Sequence, residues 1–227
     1  RGQGINHAST TMTCIECEAY SCNQSNTASV GAFHSTTDAR FVRCISHDNS
    51  GTNADGFRVS GSATFLACIA DTNGRTGFFV ANGANCVIIS GCDSYNNGAQ
   101  GIDAGKNTHY IESCNLVKNA AFGISNSGTQ AIRIMNCVFG SGTQANVSGN
   151  TSGSFEATGS VTYAADATPW ADPGDGDFSI NLAAAKNAGR GTFLETQAGY
   201  GDPSPTLAYP DIGAGQHLDA VASTTLV

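Results

Sequence analysis

The stretch FVRCISHDNSGTNADGFRV (41–59) is followed almost at once by FLACIADTNGRTGFFV (65–80), and the two share one pattern. Each contains a cysteine, an asparagine five residues later, and then a glycine followed by an apolar residue. The cysteine recurs with separations of 27, 24, 24, 22 and 23 residues, at Cys17, Cys44, Cys68, Cys92, Cys114 and Cys137. A period of this size is typical of stacked supersecondary units.

Two further columns accompany the cysteines. The asparagines are Asn49, Asn73, Asn97 and Asn119, and the glycine stretches are GFRV (56–59), GFFV (77–80), GIDA (101–104) and GISN (123–126). After each glycine, apolar residues alternate with residues of other kinds, which is the two-residue period of a strand. We therefore predict, in each unit, a short strand ending near the cysteine, a turn at the asparagine and a second strand after the glycine.

Leucine-rich repeats have a similar period, but leucine is scarce in this chain. Short strands, small residues and internal columns instead favour an all-β fold, a single-stranded right-handed parallel β-helix of about six to seven coils. Equivalent residues of successive coils lie about 4.8 Å apart, so each column becomes a ladder in space. We expect the cysteines to stack inside the coil. The asparagine amides are expected to hydrogen-bond along the axis at a bend, where asparagine tolerates the left-handed conformation.

Composition supports short strands and turns, because only 12% of the 227 residues are charged while glycine occupies 28 positions. The net charge of −8 with ten basic residues argues against a nucleic-acid partner, since phosphate binding requires clustered lysine and arginine. No apolar run is long enough to span a bilayer, so we predict no membrane insertion.

The nine cysteines are an odd number, so a monomer retains at least one free thiol. Parallel side chains in a ladder do not reach the dihedral angle of a disulfide without backbone movement. We therefore predict free buried thiols, which fit folding in a reducing cytoplasm before export or release.

The period, the two columns and the glycine-apolar strands resemble the right-handed parallel β-helix proteins of the pectate-lyase-like superfamily. That group includes pectin-degrading enzymes and phage tailspikes, and the resemblance covers roughly 4–153. The later segments DPGDGDFSINLAAAKNAGRG (172–191) and YPDIGAG (209–215) resemble the closing segment of many bacterial and phage β-helix proteins. We therefore place the coils at 1–154 and an irregular C-terminal closing segment at 155–227. The resemblance implies a trimer.

The beginning of the chain lies halfway through a coil, because GINH (4–7) precedes Cys17 by the interval that separates Gly101 from Cys114. A solenoid end requires a polar cap over its core, and none precedes this stretch. We therefore expect either more chain upstream of Arg1 or a cleavage before it.

The residue after each glycine-apolar pair is expected to point outward, in a column formed by His34, Arg58, Phe79, Asp103 and Ser125, with Asn6 before them. A cation, an aromatic ring, a carboxylate and small hydroxyls suit a glycan, because rings stack on sugar faces and polar groups bind hydroxyls. An ordinary solvated strand face has the same description, since every β-helix has outward columns.

Catalytic residues are less well indicated. Glycoside cleavage requires two carboxyl groups roughly 5 to 9.5 Å apart, whereas Asp48, Asp71, Asp93 and Asp103 share no column. Lyase chemistry of the pectate type needs Ca²⁺ on several carboxylates and an arginine base, and Arg58 with Asp55 or Asp103 is the nearest arrangement. The paired aspartates and the His-Gly and Arg-Ile-Lys segments of the polygalacturonase branch are missing. Arg58, Asp71 and Asp103 are the catalytic candidates if the protein is an enzyme.

The sequence contains only two motifs that resemble part of a metal site, and neither is complete. CIEC (14–17), with Cys22 nearby, resembles half of a zinc site, but residues three apart on a strand point to opposite faces and no second half-site exists. DPGDGD (172–177) spaces Asp172, Asp175 and Asp177 like a Ca²⁺ loop but lacks the closing glutamate, so we interpret it as a turn. Trp170 is expected to cover the last coil. No cofactor is predicted.

Together these observations predict a structural or adhesive surface appendage, similar to a phage tailspike or virion-surface fibre, that presents a rigid face to a cell-surface glycan and contacts other virion or surface proteins. An extracellular polysaccharide lyase or glycoside hydrolase is the alternative. A decoration protein that binds no glycan is a third possibility.

Overall fold

The computed structural model of the chain is a solenoid of three parallel β-sheets. It describes residues 4–8, 11–22, 30–107, 109–126, 132–140, 145–149, 155–158, 161–163, 170–175 and 177–180. Each turn of the solenoid contributes one strand to each sheet, and we call the sheets first, second and third in the order in which the chain enters them.

The strands are as follows in chain order. The first two turns contain β1 (Ile5–His7), β2 (Met12–Ile15), β3 (Glu18–Tyr20), β4 (Val30–Ser35), β5 (Ala39–Val42) and β6 (Ile45–His47). The next two contain β7 (Ala54–Val59), β8 (Ala63–Leu66), β9 (Ile69–Asp71), β10 (Phe78–Val80), β11 (Val87–Ser90) and β12 (Asp93–Tyr95). The fifth and sixth contain β13 (Ile102–Asp103), β14 (His109–Glu112), β15 (Asn115–Val117), β16 (Phe122–Asn126), β17 (Ile132–Met135) and β18 (Val138–Gly140). There follow β19 (Ala145–Gly149), β20 (Phe155–Thr158), β21 (Val161–Tyr163), β22 (Trp170–Asp172), the 3₁₀ turn η1 (Pro173–Asp175) and β23 (Asp177–Ile180).

Within each sheet every strand pairs in parallel with its equivalents in the turns before and after, so the first sheet has the order β1-β4-β7-β10-β13-β16-β19. The predicted all-β parallel β-helix is thus confirmed. The five turns from β4 to β18 are described with gaps only at 108 and 127–131. Strands β20 and β21 extend the second and third sheets past the predicted boundary at 154. Most of the predicted closing segment lies outside the described residues.

Each turn contains three strands, whereas the sequence analysis predicted two. The missed strand lies between the cysteine and the asparagine; β6, for example, is three residues long and is bounded by Arg43 (φ 51°) and Asp48 (φ 53°). So short a strand shows no clear alternation in the sequence. The ladder asparagine was expected to have the left-handed backbone at the second bend. The left-handed residue is instead the one before it, such as Asp48 before Asn49.

The predicted asparagine ladder is present along the axis of the solenoid. Asn49 Nδ2 donates to Asn73 Oδ1 at 2.7 Å, and Asn73 Nδ2 donates to Asn97 Oδ1 at 2.9 Å. Asn97 Nδ2 in turn donates to Asn119 Oδ1 at 2.9 Å. The same amide oxygens accept backbone N–H groups, since the Asn73 nitrogen lies 3.0 Å from Asn97 Oδ1. All four side chains are buried, and the ladder provides hydrogen-bond partners for their amide groups and for backbone N–H groups at the bend.

The glycine that follows each asparagine is explained by this ladder. A Cβ atom on Gly77 would lie 2.5 Å from the Ser94 hydroxyl oxygen and 3.0 Å from the Asn97 amide nitrogen. One on Gly56 would lie 2.8 Å from the Asn73 amide nitrogen. The repeat therefore requires glycine because the space beside the ladder is full.

The core between the sheets contains the predicted cysteine column and a set of stacked phenylalanines. All nine cysteines are free, as predicted, and burial, with the Cys17 thiol beside it, raises the pKa of Cys14 to about 11. Phe57 stacks on Phe33 and on Phe78 with ring centroids 4.8 and 5.0 Å apart, and Phe41 meets it edge-on. The core is thus continuous from one turn to the next.

His109 is an exception among the inward residues of the second sheet, where it lies between Val87 and Ile132 of the adjacent turns. It is 1% exposed, and its Nδ1 accepts the Val87 backbone N–H at 3.2 Å. Burial lowers the pKa of His109 to about 4. An unfolded chain protonates histidine at about pH 6.5. The folded state therefore binds the proton less readily, and His109 destabilises the fold as the pH falls from 6.5 toward 4.

We predict that His109→Val becomes more stable relative to the wild type as the pH is lowered. Between pH 7 and pH 4 the difference in free energy of unfolding should shift by roughly 3 kcal/mol in favour of the variant. Chemical denaturation at both pH values measures the difference, and the other titrating groups cancel because both proteins contain them. A difference that is the same at pH 7 and pH 4 would contradict the assignment.

Candidate functional site

The predicted outward column is one continuous row on the outer face of the first sheet. In register, His34 pairs with Asn6 and with Arg58, and Phe79 pairs with Arg58 and with Asp103. Asp103 pairs with Ser125. Asn6 is exposed and the other five are partly buried. The sequence thus identified which residues share this face.

Two arginines converge on one buried carboxylate in the middle of the row. Arg58 Nη1 lies 2.9 Å from Asp55 Oδ2, and Nε of Arg75, from the loop between β9 and β10, lies 3.5 Å from Asp55 Oδ1. Asp55 is fully buried and also accepts the Thr76 backbone N–H at 3.3 Å. We call Arg58 and Arg75 the arginine pair. Arg75 could not be predicted from the repeat because it lies outside the columns.

The ring of Phe79 supports both guanidinium groups. The Cζ atom of Arg58 is 4.1 Å and that of Arg75 is 4.7 Å from the ring centroid, which is within the range of cation–π attraction. Phe79 was predicted to stack on a sugar ring. Because its ring is already in contact with two cations, the groups that this part of the row offers to a ligand are the guanidiniums.

The surrounding titratable groups respond to burial and to these charges. Burial raises the pKa of Asp55 to about 6, although both arginines and the Thr76 N–H oppose the increase. Burial also raises the pKa of Asp103, against the Gly105 N–H and the arginine pair. Burial and the positive charge of Arg58 lower the pKa of His34.

The three catalytic candidates are not brought together. Arg58 and Asp103 lie on the first sheet, whereas Asp71 ends β9 in the third sheet, where it pairs with His47 and Tyr95. Arg58 and Asp103 thus share the outer face of the first sheet, whereas a groove that also includes Asp71 is not formed. The reason is the third strand of each turn, which carries Asp71 onto a different face.

Asp71 instead lines a cleft of about 380 Å³ on the outer face of the third sheet. The polar lining residues are Glu18, His47, Asp48, Asp71, Thr72 and Asp175, and the cleft is completed by Ile45, Gly174 and Phe178. We call it the third-sheet cleft. The sequence contained one signal for it, since His47 and Asp71 are each the third residue after a column cysteine.

Hydrogen bonds hold the side chains of the third-sheet cleft in fixed positions. His47 lies between Glu18 Oε1 and Asp48 Oδ2, each 2.8 Å from a ring nitrogen, and these two carboxylates raise the pKa of His47 despite its burial. Asp71 accepts the Thr72 hydroxyl at 2.6 Å. Burial, together with the charge of Asp48, raises the pKa of Asp71 to about 6.

The hairpin of β22 and β23 covers part of the third sheet. Trp170 is 2% exposed and contacts Tyr95 edge-on at 5.4 Å and Phe178 at 5.2 Å. Tyr95 belongs to β12 in the fourth turn and points outward, opposite to Ser94. The expectation that Trp170 covers the last coil is therefore wrong. The tryptophan packs on the side of the solenoid, where an outward tyrosine needs an apolar cover.

The residues considered as metal ligands lie in different surroundings. Asp175 lines the third-sheet cleft, and within the part of the chain that the structure describes no three His, Cys, Asp or Glu side chains are placed to hold a metal ion. The prediction that Cys14 and Cys17 point to opposite faces is wrong. Both pack against the core, because Glu16 between them has a left-handed backbone (φ 53°).

In comparisons with known proteins, no family model, no curated protein and no solved structure matches the chain. Over the described residues, no helix has the length and apolar character needed to cross a membrane.

Proposed function

We propose that the protein is a structural or adhesive surface appendage that binds a cell-surface glycan through the outer face of the first sheet. The observation that supports this most is the row from His34 to Ser125, with the arginine pair held at its centre by Asp55. Side chains held in place before binding lose little conformational entropy when a ligand arrives. A row of this kind can contact successive units of an extended saccharide.

The solenoid suits an appendage because it is stiff and extends along one axis. Each turn lengthens the rod by about 4.8 Å and adds one more position to the row. This is the architecture of the pectate-lyase-like and tailspike β-helix proteins, and we propose membership of that group. By the same likeness we propose a trimer on a virion or other extracellular surface, in contact with other surface proteins. Nine free thiols agree with folding in a reducing cytoplasm first.

A glycan array with wild-type protein and two variants tests this proposal. Arg58→Gln should lower binding of the recognised glycans at least about tenfold, because it removes a charged donor from the row. Arg40→Gln is the matched control, since Arg40 is an exposed arginine on the second sheet, and it should retain wild-type binding. An equal loss in both variants would contradict the site. Wild-type protein that binds no glycan would instead favour the decoration protein.

A glycoside hydrolase or lyase is the second candidate, and the third-sheet cleft favours it. A carboxyl group with a pKa of about 6 is suited to donate a proton to a leaving oxygen near neutral pH. Asp71 has this property and lies near Asp48, a second carboxylate, in a cleft that can hold a ligand. In this hypothesis Asp71 is the acid.

Incubation with acidic and neutral polysaccharides tests the enzyme hypothesis. New reducing ends or unsaturated products that disappear in Asp71→Asn would support it, whereas wild-type protein that releases none would exclude it for those polymers. The cleft and the arginine pair are on different sheets, so Arg58→Gln should leave such turnover intact.

A further inference from the structure

The guanidinium groups of the arginine pair have more N–H donors than their contacts within the protein use. Each guanidinium has five N–H donors, yet among the described residues Arg58 donates only to Asp55, and Arg75 has only an ion pair with the same carboxylate. The other guanidinium nitrogens of both side chains are not enclosed by protein and remain accessible to solvent. The donors therefore face outward from the row.

The pair is also held in a fixed geometry. The side chains of Arg58 and Arg75 are only 19% and 25% exposed, because Phe79 lies beneath both and Asp55 binds them from inside. Planar guanidiniums with fixed positions are the groups that recognise carboxylate or sulfate with two parallel hydrogen bonds. Neutral sugars would need the Phe79 ring face, which the arginines already contact.

We propose that the arginine pair binds the sulfate or carboxylate group of an acidic saccharide, in competition with the internal carboxylate of Asp55. This inference rests on the proposed glycan-binding function and names its ligand class.

The charges around the site make this competition sensitive to pH. The charged groups in contact with Asp55 are Arg58, on the same strand, and Arg75, in the loop before β10. His34 on β4 and Asp103 on β13 lie in the same row, next to Arg58 and Phe79 respectively. At neutral pH the ionised carboxylate of Asp55 competes with a ligand for the two arginines. As the pH falls through about 6, Asp55 takes up a proton and releases its hold on the arginines. A sulfate stays ionised throughout, so the affinity for it should rise on acidification.

Sulfated and unsulfated dextran oligosaccharides of equal length are suitable probes, with calorimetry at pH 7 and pH 5 at low ionic strength. We expect the wild type to bind only the sulfated form, and about tenfold more tightly at pH 5. Asp55→Asn should bind at pH 7 about as tightly as the wild type does at pH 5, and its affinity should change less between the two pH values than that of the wild type. Asp38→Asn changes the net charge equally at an exposed position before the second sheet and should behave as the wild type.

Three results would overturn the inference. If the unsulfated form binds equally well, the ligand class is wrong while the glycan-binding function stands. If Asp38→Asn raises the affinity as much as Asp55→Asn, overall charge explains the effect. If neither probe binds, the inference fails, and the glycan array decides separately on the function. Should Asp55→Asn not fold, Arg75→Gln replaces it and is expected to bind the sulfated form at least about tenfold more weakly than the wild type at pH 5, because one of the two guanidiniums is lost; wild-type affinity in this variant would contradict the pair as the site.

Discussion

Replacing Asn97 with alanine is expected to lower the free energy of unfolding by about 4 kcal/mol, because it interrupts a fully buried hydrogen-bond ladder. The Asn97 amide oxygen accepts from the side chain and the backbone of Asn73, and its amide nitrogen donates to Asn119. Alanine leaves the buried Asn73 backbone N–H without an acceptor, which costs about 1–3 kcal/mol. It also removes one hydrogen bond each from the Asn73 and Asn119 amides, which keep other partners, at about 0.5–1.5 kcal/mol per bond.

Asn96→Gly is the matched control for Asn97→Ala. Asn96 is the adjacent asparagine, is exposed and has a left-handed backbone (φ 51°) that glycine adopts without strain. Its replacement should change stability by less than about 1 kcal/mol. Equilibrium denaturation of both variants measures the contrast. Similar losses in the two would show that the ladder is not a main source of stability.

Phe57→Ala is expected to be about as destabilising, with a loss of about 4 kcal/mol, because it leaves a cavity in the centre of the aromatic stack. Phe57 is fully buried and contacts four other rings, those of Phe33, Phe41, Phe65 and Phe78. Removal of one ring therefore takes contacts from four others, in addition to the lost burial of its own surface.

Phe79→Ala provides the control on the opposite face of the same sheet. Its ring is partly exposed and contacts the arginine pair instead of the core. We expect it to lose no more than about 1 kcal/mol, while weakening glycan binding because the arginines lose their support. Thermal denaturation and the glycan array separate the two effects. A large loss of stability in Phe79→Ala would indicate that the row is part of the core.

The fold could be predicted from the sequence because stacking makes equivalent positions physically alike. Cys44 and Cys68, or Asn73 and Asn97, occupy the same environment one turn apart, so the same residue suits both. The third strand of each turn could not be predicted, because three residues between two bends are too few to show the two-residue alternation of a strand. The residues with a left-handed backbone at the bends are as different as Arg43 and Asp48. Residue preferences for the left-handed conformation therefore do not identify these positions in the sequence.

The candidate sites could be predicted only in part, because they depend on residues that do not repeat. The row on the first sheet followed from the alternation around Arg58 and Phe79. Arg75 joins it from a loop, and Asp175 reaches the third-sheet cleft from a hairpin far along the chain. Nothing in the local sequence indicates either contact.

The cysteine column also equips the protein with internal reporters of its own unfolding. From the second turn to the sixth, each turn carries one fully buried thiol in the column, at Cys44, Cys68, Cys92, Cys114 and Cys137. In a linear array each turn contacts only its neighbours, so turns can open separately. The order in which an alkylating reagent modifies these thiols, identified by mass spectrometry, would show from which end the solenoid unwinds.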